Sequence, residues 1–177
     1  MSLGWTASPA EEPLLQKLGL RHLDALTPIT TNVTVMRFIM KGKTWRYNQL
    51  HKRLAAAEAD WAAGGRSGKR GYFWAIMSNG QAVGMLGFHH SANEENYSFR
   101  IFLDPSAQNN GLGTQATRDA LRIFAEHEPG KRVYGAANAD NIGGAKLMLR
   151  VGFVEGLPGN ISGTAVRTFV FTAPGAL

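Results

Sequence analysis

A glycine-containing turn between an apolar run and a helical pattern holds the residues that could do chemistry. The apolar run ends at Asp104-Pro105, Gly111 and Gly113 follow, and a helical pattern begins directly after them. Glycine adopts a positive φ at little cost, and without a side chain it lets a ligand approach the backbone. Unpaired N–H groups and the positive end of the helix dipole converge at such a helix start. The turn therefore predicts a site for an anion such as a phosphate, although a plain strand-to-helix connection also uses glycine.

The turn resembles motif A of the GNAT superfamily of N-acetyltransferases, a Gln/Arg-x-x-Gly-x-Gly/Ala pattern whose amides hold the pyrophosphate of acetyl-coenzyme A. Residues 108–113 match this pattern. A second block lies 28 residues beyond Gly113, where Asn141 to Gly152-Phe153 resembles the family's Asn, helix and Gly-Phe ending. The resemblance covers about residues 72–172. Its second block and the apolar hairpin before the turn look most like the branch that acetylates ribosomal-protein N-termini.

The resemblance implies acetyl-CoA as co-substrate, with no metal. It assigns the backbone at the end of one strand to the pantetheine arm of the coenzyme, and the turn to its phosphates. The implied cofactor-binding residues are Ile101, Phe102, Leu103, Gln108, Asn109, Asn110, Gly111, Leu112, Gly113, Thr114 and Asn141. Two of these assignments have a plainer alternative, since Asn141 is also a good helix N-cap and the apolar strand residues also suit a core.

The positions at which relatives carry acid–base groups hold other residues here. Met148 stands where many relatives have a tyrosine, Ala136 where some have a glutamate, and Ser98 where a carboxylate is common. No catalytic acid or base is therefore implied by the resemblance. The polar side chains nearby in sequence are Glu94, Glu95, His89, His90, Tyr97 and Ser98, of which Glu95, Ser98 and His89 are the catalytic candidates.

The predicted function is transfer of an acetyl group from acetyl-CoA to an amine, either a small molecule or a peptide N-terminus. The amine attacks directly, because a chain without cysteine cannot form an acetyl-cysteine intermediate. The missing acid and base leave a non-catalytic acyl-CoA sensor as an alternative. The sequence pI of about 9.9 leaves a nucleic-acid-binding domain as a weaker one, since no reader motif accompanies the basic residues.

The positive charge lies in the N-terminal part of the chain. Residues 1–71 hold 11 Lys and Arg against 5 Asp and Glu, whereas residues 72–177 hold 8 of each. The basic part also contains Trp45, Tyr47 and Trp61. It is either a solvated face or a rim that attracts an acceptor with an apolar body and an acidic group.

These chemical groups need a particular set of elements to position them. The pattern predicts a mixed α/β domain, with a central, mostly antiparallel sheet, one parallel strand pair and about four helices. The resemblance implies that the two parallel strands splay apart. Residues 1–177 are predicted to form a single domain whose first 13 residues are a tail. The chain shows no membrane span, secretory signal or metal-ligand spacing, so we expect a cytoplasmic protein. A homodimer is compatible with the sequence.

The predicted strands are Tyr72–Met77, Ala82–His89, Ser98–Leu103, Val133–Ala137, Phe153–Glu155 and Val166–Thr172, and the predicted helices are residues 32–40, a longer helix that Thr44 caps, Gly113–His127 and Asn141–Gly152. Ser78-Asn79-Gly80 predicts a hairpin between the first two strands, and Pro158-Gly159 and Gly163 break the segment between the last two. Segment 14–30 fits either a helical turn or an edge strand.

Overall fold

The computed structural model describes residues 13–39, 42–64, 71–90 and 96–175. Within them, eight strands form one sheet in the order β1-β2-β3-β4-β5-β8-β6, and β7 pairs with β8. The strands are β1 (Leu15–Lys17), β2 (Gly71–Ser78), β3 (Gln81–His90), β4 (Asn96–Leu103), β5 (Arg132–Asn138), β6 (Val154–Glu155), β7 (Gly159–Ile161) and β8 (Thr164–Thr172). The α-helices of the described residues are α1 (Leu23–Thr30), α2 (Val33–Met36), α3 (Tyr47–Ala62), α4 (Leu112–His127) and α5 (Ile142–Arg150).

Every strand pair is antiparallel except β4–β5, which is parallel. The predicted fold class is confirmed, with one more short α-helix than expected. The hairpin between β2 and β3 turns at Asn79 and Gly80, whose φ values of 49° and 77° are both positive. Two consecutive positive φ values define the tight turn that Asn-Gly favours, which is why this dipeptide predicted the hairpin.

The sheet has an apolar layer on each face. One cluster joins buried residues of α4 and α5 to alternate residues of the strands. It includes Phe124 of α4, Phe88 of β3 and Val133 of β5. The other joins α1, α2 and α3 to the residues in between, among them Met85 and Phe102. Because successive side chains of a strand point to opposite faces, each strand divides its residues between the two layers. The position of a residue in this alternation therefore determines on which face of the sheet its side chain lies.

The parallel pair β4–β5 is short. Its register joins Asn96 to Arg132, Tyr97 to Val133 and Ser98 to Tyr134, and pairing stops there. Strand β4 continues to Leu103 against β3, while β5 continues to Asn138 against β8. The two strands therefore part after Ser98, which is the splay that the sequence predicts. A β-strand edge without a partner leaves N–H and C=O groups available to a ligand.

Three local features differ from the sequence-based expectation. The ambiguous segment 14–30 contains the edge strand β1 and the helix α1. Helix α3 begins at Tyr47 rather than after Thr44, because the Gln49 side chain accepts a hydrogen bond from the Arg46 amide at 2.8 Å. The glycine-rich segment before β8 contributes the extra strand β7.

Several predictions fall outside the described residues. They concern most of the N-terminal tail, the basic residues 65–70 and the two carboxylates Glu94 and Glu95. Within the described part of the chain, no helix combines the length and the apolar character needed to cross a membrane.

Candidate active site

The glycine turn has the geometry of a loop that ends on a helix N-terminus. The Asp104 carboxylate accepts a hydrogen bond from the Ser106 amide at 2.9 Å, which closes a single turn of 3-10 helix over Pro105–Ala107. Gly111 then adopts a φ of 84° and caps α4. No side chain lies within 4 Å of where its Cβ would be, so its backbone conformation, rather than crowding, requires glycine.

Gly113 has a different role from Gly111. It is buried in the first turn of α4, and a Cβ there would lie 3.0 Å from Leu103 Cδ1 and 3.3 Å from Leu147 Cδ1. The residue therefore allows α4 to approach both β4 and α5. The amides of Gly113 and Thr114 are among the first four N–H groups of the helix, which no preceding turn can satisfy. An anion held here would accept hydrogen bonds from main-chain donors.

The backbone of β4 turns alternate residues toward the gap. The Asp104 amide donates to the Val83 carbonyl of β3 at 2.7 Å, so Phe102 also directs its backbone toward β3. By alternation, Ile101 and Leu103 direct theirs toward the splay. The Leu103 carbonyl accepts a hydrogen bond from Gln108 Nε2 at 3.0 Å. Gln108 therefore connects the turn to the end of the strand. Because the Phe102 backbone faces β3, the side chain of Phe102, and not its backbone, is available to a ligand.

Asn141 caps α5 on the other side of the gap. Its Oδ1 accepts a hydrogen bond from the Gly144 amide at 3.0 Å, so the plainer of the two sequence interpretations describes a real contact. Met148, which replaces the tyrosine of many relatives, is 3% exposed, and its sulfur packs against Gly135 of β5. A thioether has no proton to donate. This position therefore supports packing between α5 and the sheet.

A cavity of about 250 Å³ opens on the opposite face of the sheet, beneath the N-terminal helices. Its apolar walls include Trp45, Met85 and Phe102, all of which are buried. Charged and titratable side chains from α3, β3 and β4 complete the lining: Arg53, Asp60, His89 and Arg100. The cavity thus combines an apolar body with a polar rim, as small-molecule sites commonly do.

The two faces of the sheet separate the candidate acid–base residues. His89 lines the cavity, and Ser98, its partner across the β3–β4 ladder, lies on the same face as Arg100. His90 lies on the other face, where its ring centroid is 4.7 Å from that of the buried Tyr97. His89 and Ser98 are therefore brought together with the cavity, whereas His90 and Tyr97 are not.

The environment of His89 keeps its ring neutral. Burial lowers the pKa of His89 below its ordinary value of 6.5, and the positive charge of Arg100 lowers it further, with a smaller contribution from Arg53. A hydrogen bond with the His90 backbone acts in the opposite direction and does not cancel the shift. A neutral imidazole can accept a proton, so His89 has the protonation state that a general base requires.

The structure also places Tyr134, which the sequence analysis did not single out, beside the splay. It faces Ser98 at the last pair of the β4–β5 ladder and is 39% exposed. Its neighbours Val133 and Gly135 are buried toward α4 and α5, so Tyr134 and Ala136 point to the face that carries the cavity. The alternation of Val133, Gly135 and Ala137 in the sequence was the signal that could have found it.

The aromatic residues of the basic N-terminal part do not act together. Trp45 lines the cavity, and the Arg53 guanidinium lies 4.3 Å from its ring centroid. Tyr47 is 55% exposed at the start of α3. Trp61 packs on Trp74 and donates a hydrogen bond from Nε1 to the Phe73 carbonyl at 2.7 Å. One of the three thus belongs to the candidate acceptor site, together with Arg53 of the basic N-terminal part. Arg100 also lines that site, and the sequence analysis did not single it out.

A splayed parallel strand pair beside a glycine turn and a separate cavity across the sheet define an acetyltransferase fold. The profile of the acetyltransferase (GNAT) domain family matches residues 14–154, and the chain belongs to that family. Its membership identifies it as an acetyl-CoA-dependent acetyltransferase. No curated protein matches the sequence significantly.

Solved structures share the fold at low sequence identity. RimL, a ribosomal L7/L12 alpha-N-protein acetyltransferase in complex with coenzyme A, superposes with a TM-score of 0.75 at 14% identity, over 92% of this chain and 94% of that one. YncA of Salmonella typhimurium, a structure with its cofactor acetyl-CoA, gives 0.71 at 15% identity, over 92% and 95% of the chains. Spermidine N-acetyltransferase of Vibrio cholerae, in complex with CoA and spermine, gives 0.70 at 15% identity, over 90% and 94%. These neighbours are similar in fold, and RimL and the spermidine enzyme are named for different acceptors.

Proposed function

We propose that the protein acetylates an α-amine, on a small molecule or a peptide N-terminus, by direct attack of the amine on acetyl-CoA. The observation that carries the proposal is the parting of β4 and β5 after three residue pairs, directly beside the glycine turn. A ligand with an amide-bearing arm and a phosphate end fits this arrangement, because the open strand edge offers N–H and C=O groups and the helix start offers N–H groups.

The direction of the bound coenzyme follows from the order of these features. The turn lies beyond the C-terminal end of β4, and the splay closes at Ser98 and Tyr134. The phosphates therefore belong at the turn, where the amides of Gly113 and Thr114 hold them. The arm follows the backbone of Ile101 and Leu103, and the acetyl end lies toward the closed end of the splay, where it meets His89 and Tyr134.

The residues at the closed end supply the proton transfers. When bound, acetyl-CoA supplies an acetyl group activated as a thioester. The acceptor nitrogen bonds to the acetyl carbon while the carbon–sulfur bond breaks, and neutral His89 takes the proton that the nitrogen loses. Tyr134 donates a proton to the departing sulfur and regains one from solvent. Positioning contributes the remaining acceleration, since the α-amine of a peptide N-terminus, with an ordinary pKa of about 8, is partly deprotonated at neutral pH. The more basic amine of a free amino acid depends more on His89.

The test is a thiol-release assay with acetyl-CoA and a panel of amines that contains amino acids, peptides with free N-termini, lysine side-chain analogues and polyamines. Acetyl-CoA binding is measured in parallel by isothermal titration. Acetylation of an α-amine supports the proposal. Tight acetyl-CoA binding without thiol release in the presence of any amine of the panel would contradict the proposal. It would favour the sensor alternative, which the absence of the family's acid and base suggests. The single-domain organisation, the cytoplasmic location and the possible homodimer stay predictions.

A further inference from the structure

The cavity under the N-terminal helices separates an apolar interior from a positively charged rim. Leu18, Met85 and Phe102 form interior walls and are all at most 7% exposed. Arg53 and Arg100 lie at the rim and are exposed. A volume of about 250 Å³ is at or below the small end of the ligand pockets seen in proteins, about 300 to 1,000 Å³. The space suits one amino-acid-sized molecule.

The two arginines reach the rim from different elements. Arg53 is three residues beyond the buried Leu50 on α3, so it stands at the edge of the helix face that packs on the sheet. Arg100 shares its strand face with Phe102, two residues on. Both guanidinium groups act on the same ring, since both lower the pKa of His89. Two cationic groups therefore converge on the rim where the candidate base lies.

Asp60 is the one carboxylate among the cavity-lining residues that the structure describes. Among the described lining residues, the two arginines carry two positive charges against the one negative charge of Asp60. This excess of positive charge beside His89 favours an anion at the rim.

Resting on the proposed acetylation, we propose that the acceptor is a free α-amino acid with an apolar side chain, whose carboxylate is held by Arg53 and Arg100. Guanidinium groups bind carboxylates through paired, charge-assisted hydrogen bonds. The amine and the carboxylate of an α-amino acid share one carbon, so the base and the anion-binding groups must be neighbours, as His89 and the two arginines are. The apolar side chain packs against Phe102, Met85 and Trp45.

The experiment compares matched acceptors that differ in the carboxylate alone. Initial rates of thiol release are measured with L-phenylalanine, L-methionine and L-leucine, and with the amide of each. The amine of an amino acid amide is the less basic of the two, so amine ionisation by itself favours the amide. We expect the acid to have the higher kcat/KM by about tenfold to a hundredfold, the range for one hydrogen bond to a charged group. The preference should shrink as salt screens the exposed rim.

Variants test which residues read the carboxylate. Arg100→Gln and Arg53→Gln should each lower the ratio of kcat/KM for the acid to kcat/KM for the amide by about fivefold or more. The ratio isolates carboxylate binding, because a change in the ionisation of His89 acts on both acceptors alike. Arg100→Lys, which keeps the charge but loses the fork, should retain part of the preference. Lys52→Gln is the matched control, since it removes a neighbouring exposed charge of α3 that does not line the cavity. Acetyl-CoA affinity, measured by titration, should be the same in all four variants.

The outcomes distinguish this proposal from the function on which it rests. Preference for the amides, for peptides or for a polyamine such as spermidine would overturn the free-amino-acid assignment and leave an amine acetyltransferase. An acid preference that survives both glutamine substitutions, in variants with wild-type melting temperatures, would overturn the role of the arginines. Acetyl-CoA binding without acetylation of any amine would overturn both proposals.

Discussion

The two sides of the sheet build their sites from different parts of the chain. The proposed acetyl-CoA site consists largely of main chain: the open edge of Ile101 and Leu103, and the first amides of α4. The cavity side consists of side chains, with Arg53, His89 and Arg100 at its rim. A main-chain site depends on where glycine permits a turn, whereas a side-chain site depends on which residue types meet in space. The main-chain site can therefore stay the same while the side-chain site changes and selects a different acceptor.

This difference predicts how substitutions divide. A change on the acetyl-CoA side should weaken the coenzyme for every acceptor alike. A change on the cavity side should alter turnover or acceptor choice at constant acetyl-CoA affinity. Four substitutions, from the largest expected effect to the smallest, can break this division or sharpen it.

Thr114→Glu should have the largest effect, because it places a carboxylate in the first turn of α4 beside the proposed phosphate site. Two like charges about 5 Å apart at the protein surface repel by about 3 kcal/mol, so acetyl-CoA affinity should fall by about a hundredfold or more. The fold should persist, since a negative charge stabilises a helix N-terminus. Isothermal titration measures the loss, and Thr114→Gln is the neutral control of the same size. Unchanged affinity in the glutamate variant would remove the phosphates from this turn.

His89→Gln should lower kcat by about a hundredfold, the lower end of the contribution of a general base. In the wild type, kcat should fall as the pH drops through a pKa below 6.5, because burial and the charges of Arg100 and Arg53 keep His89 neutral above it. Among the residues that the structure describes, Asp60 and His90 are further titratable groups near this ring. A pH profile of kcat in both proteins measures the effect, and the variant should lose the acid limb.

His90→Gln is the matched control for that experiment, since His90 lies next in sequence but faces the other side of the sheet. It should retain the acid limb and most of the activity. An acid limb that disappears in the His90 variant, or persists in the His89 variant, would show that another group accepts the proton.

Tyr134→Phe should lower kcat by about tenfold with little change in KM or in acetyl-CoA affinity. The effect is smaller than the usual range for acid–base groups because water can replace an exposed phenol as the proton source. Steady-state kinetics measure it, with Tyr47→Phe as a control at an exposed tyrosine outside the cavity. Equal losses in the two variants, or a loss confined to KM, would contradict a role in protonating the sulfur.

Asn141→Ala should have the smallest effect. Loss of the cap on α5 should cost about 1 kcal/mol of stability, and kcat/KM for acetyl-CoA should fall by about fivefold. Asn32 offers a matched control, because it caps α2 in the same way, with Oδ1 2.9 Å from the Thr34 amide. Thermal melts and kinetics compare the two variants. If both lose stability while neither loses turnover, Asn141 is a structural cap alone.

The sequence predicted the parts of the molecule that depend on local rules. The hairpin at Asn79-Gly80, the helix start after Gly111 and the parting of β4 from β5 each rest on a short stretch of chain or on the family pattern it carries. The glycine turn could be located without coordinates because only a few residue types tolerate a positive φ.

The cavity could not be predicted in the same way. Its polar residues come from three elements: Arg53 from α3, His89 from β3 and Arg100 from β4. Their convergence depends on the register of the sheet and on where α3 packs against it. The basic N-terminal part gave the sign of the rim but not its members, since Tyr47 is exposed and Trp61 serves the other core layer. Gly113 was assigned to ligand approach alone, and its contact distance to Leu103 and Leu147 appears only after the elements are packed.

The three-pair ladder between β4 and β5 also divides the molecule mechanically. On one side of it, β4 holds β3 along seven residue pairs, and on the other, β5 holds β8 along seven. The amides of Arg100 and Phe102 therefore point toward β3 within the sheet. Those of Ile101 and Leu103, on the same strand, point into the gap between β4 and β5. Hydrogen–deuterium exchange should alternate along β4 residue by residue, a pattern of fast and slow amides that a fully paired strand cannot give.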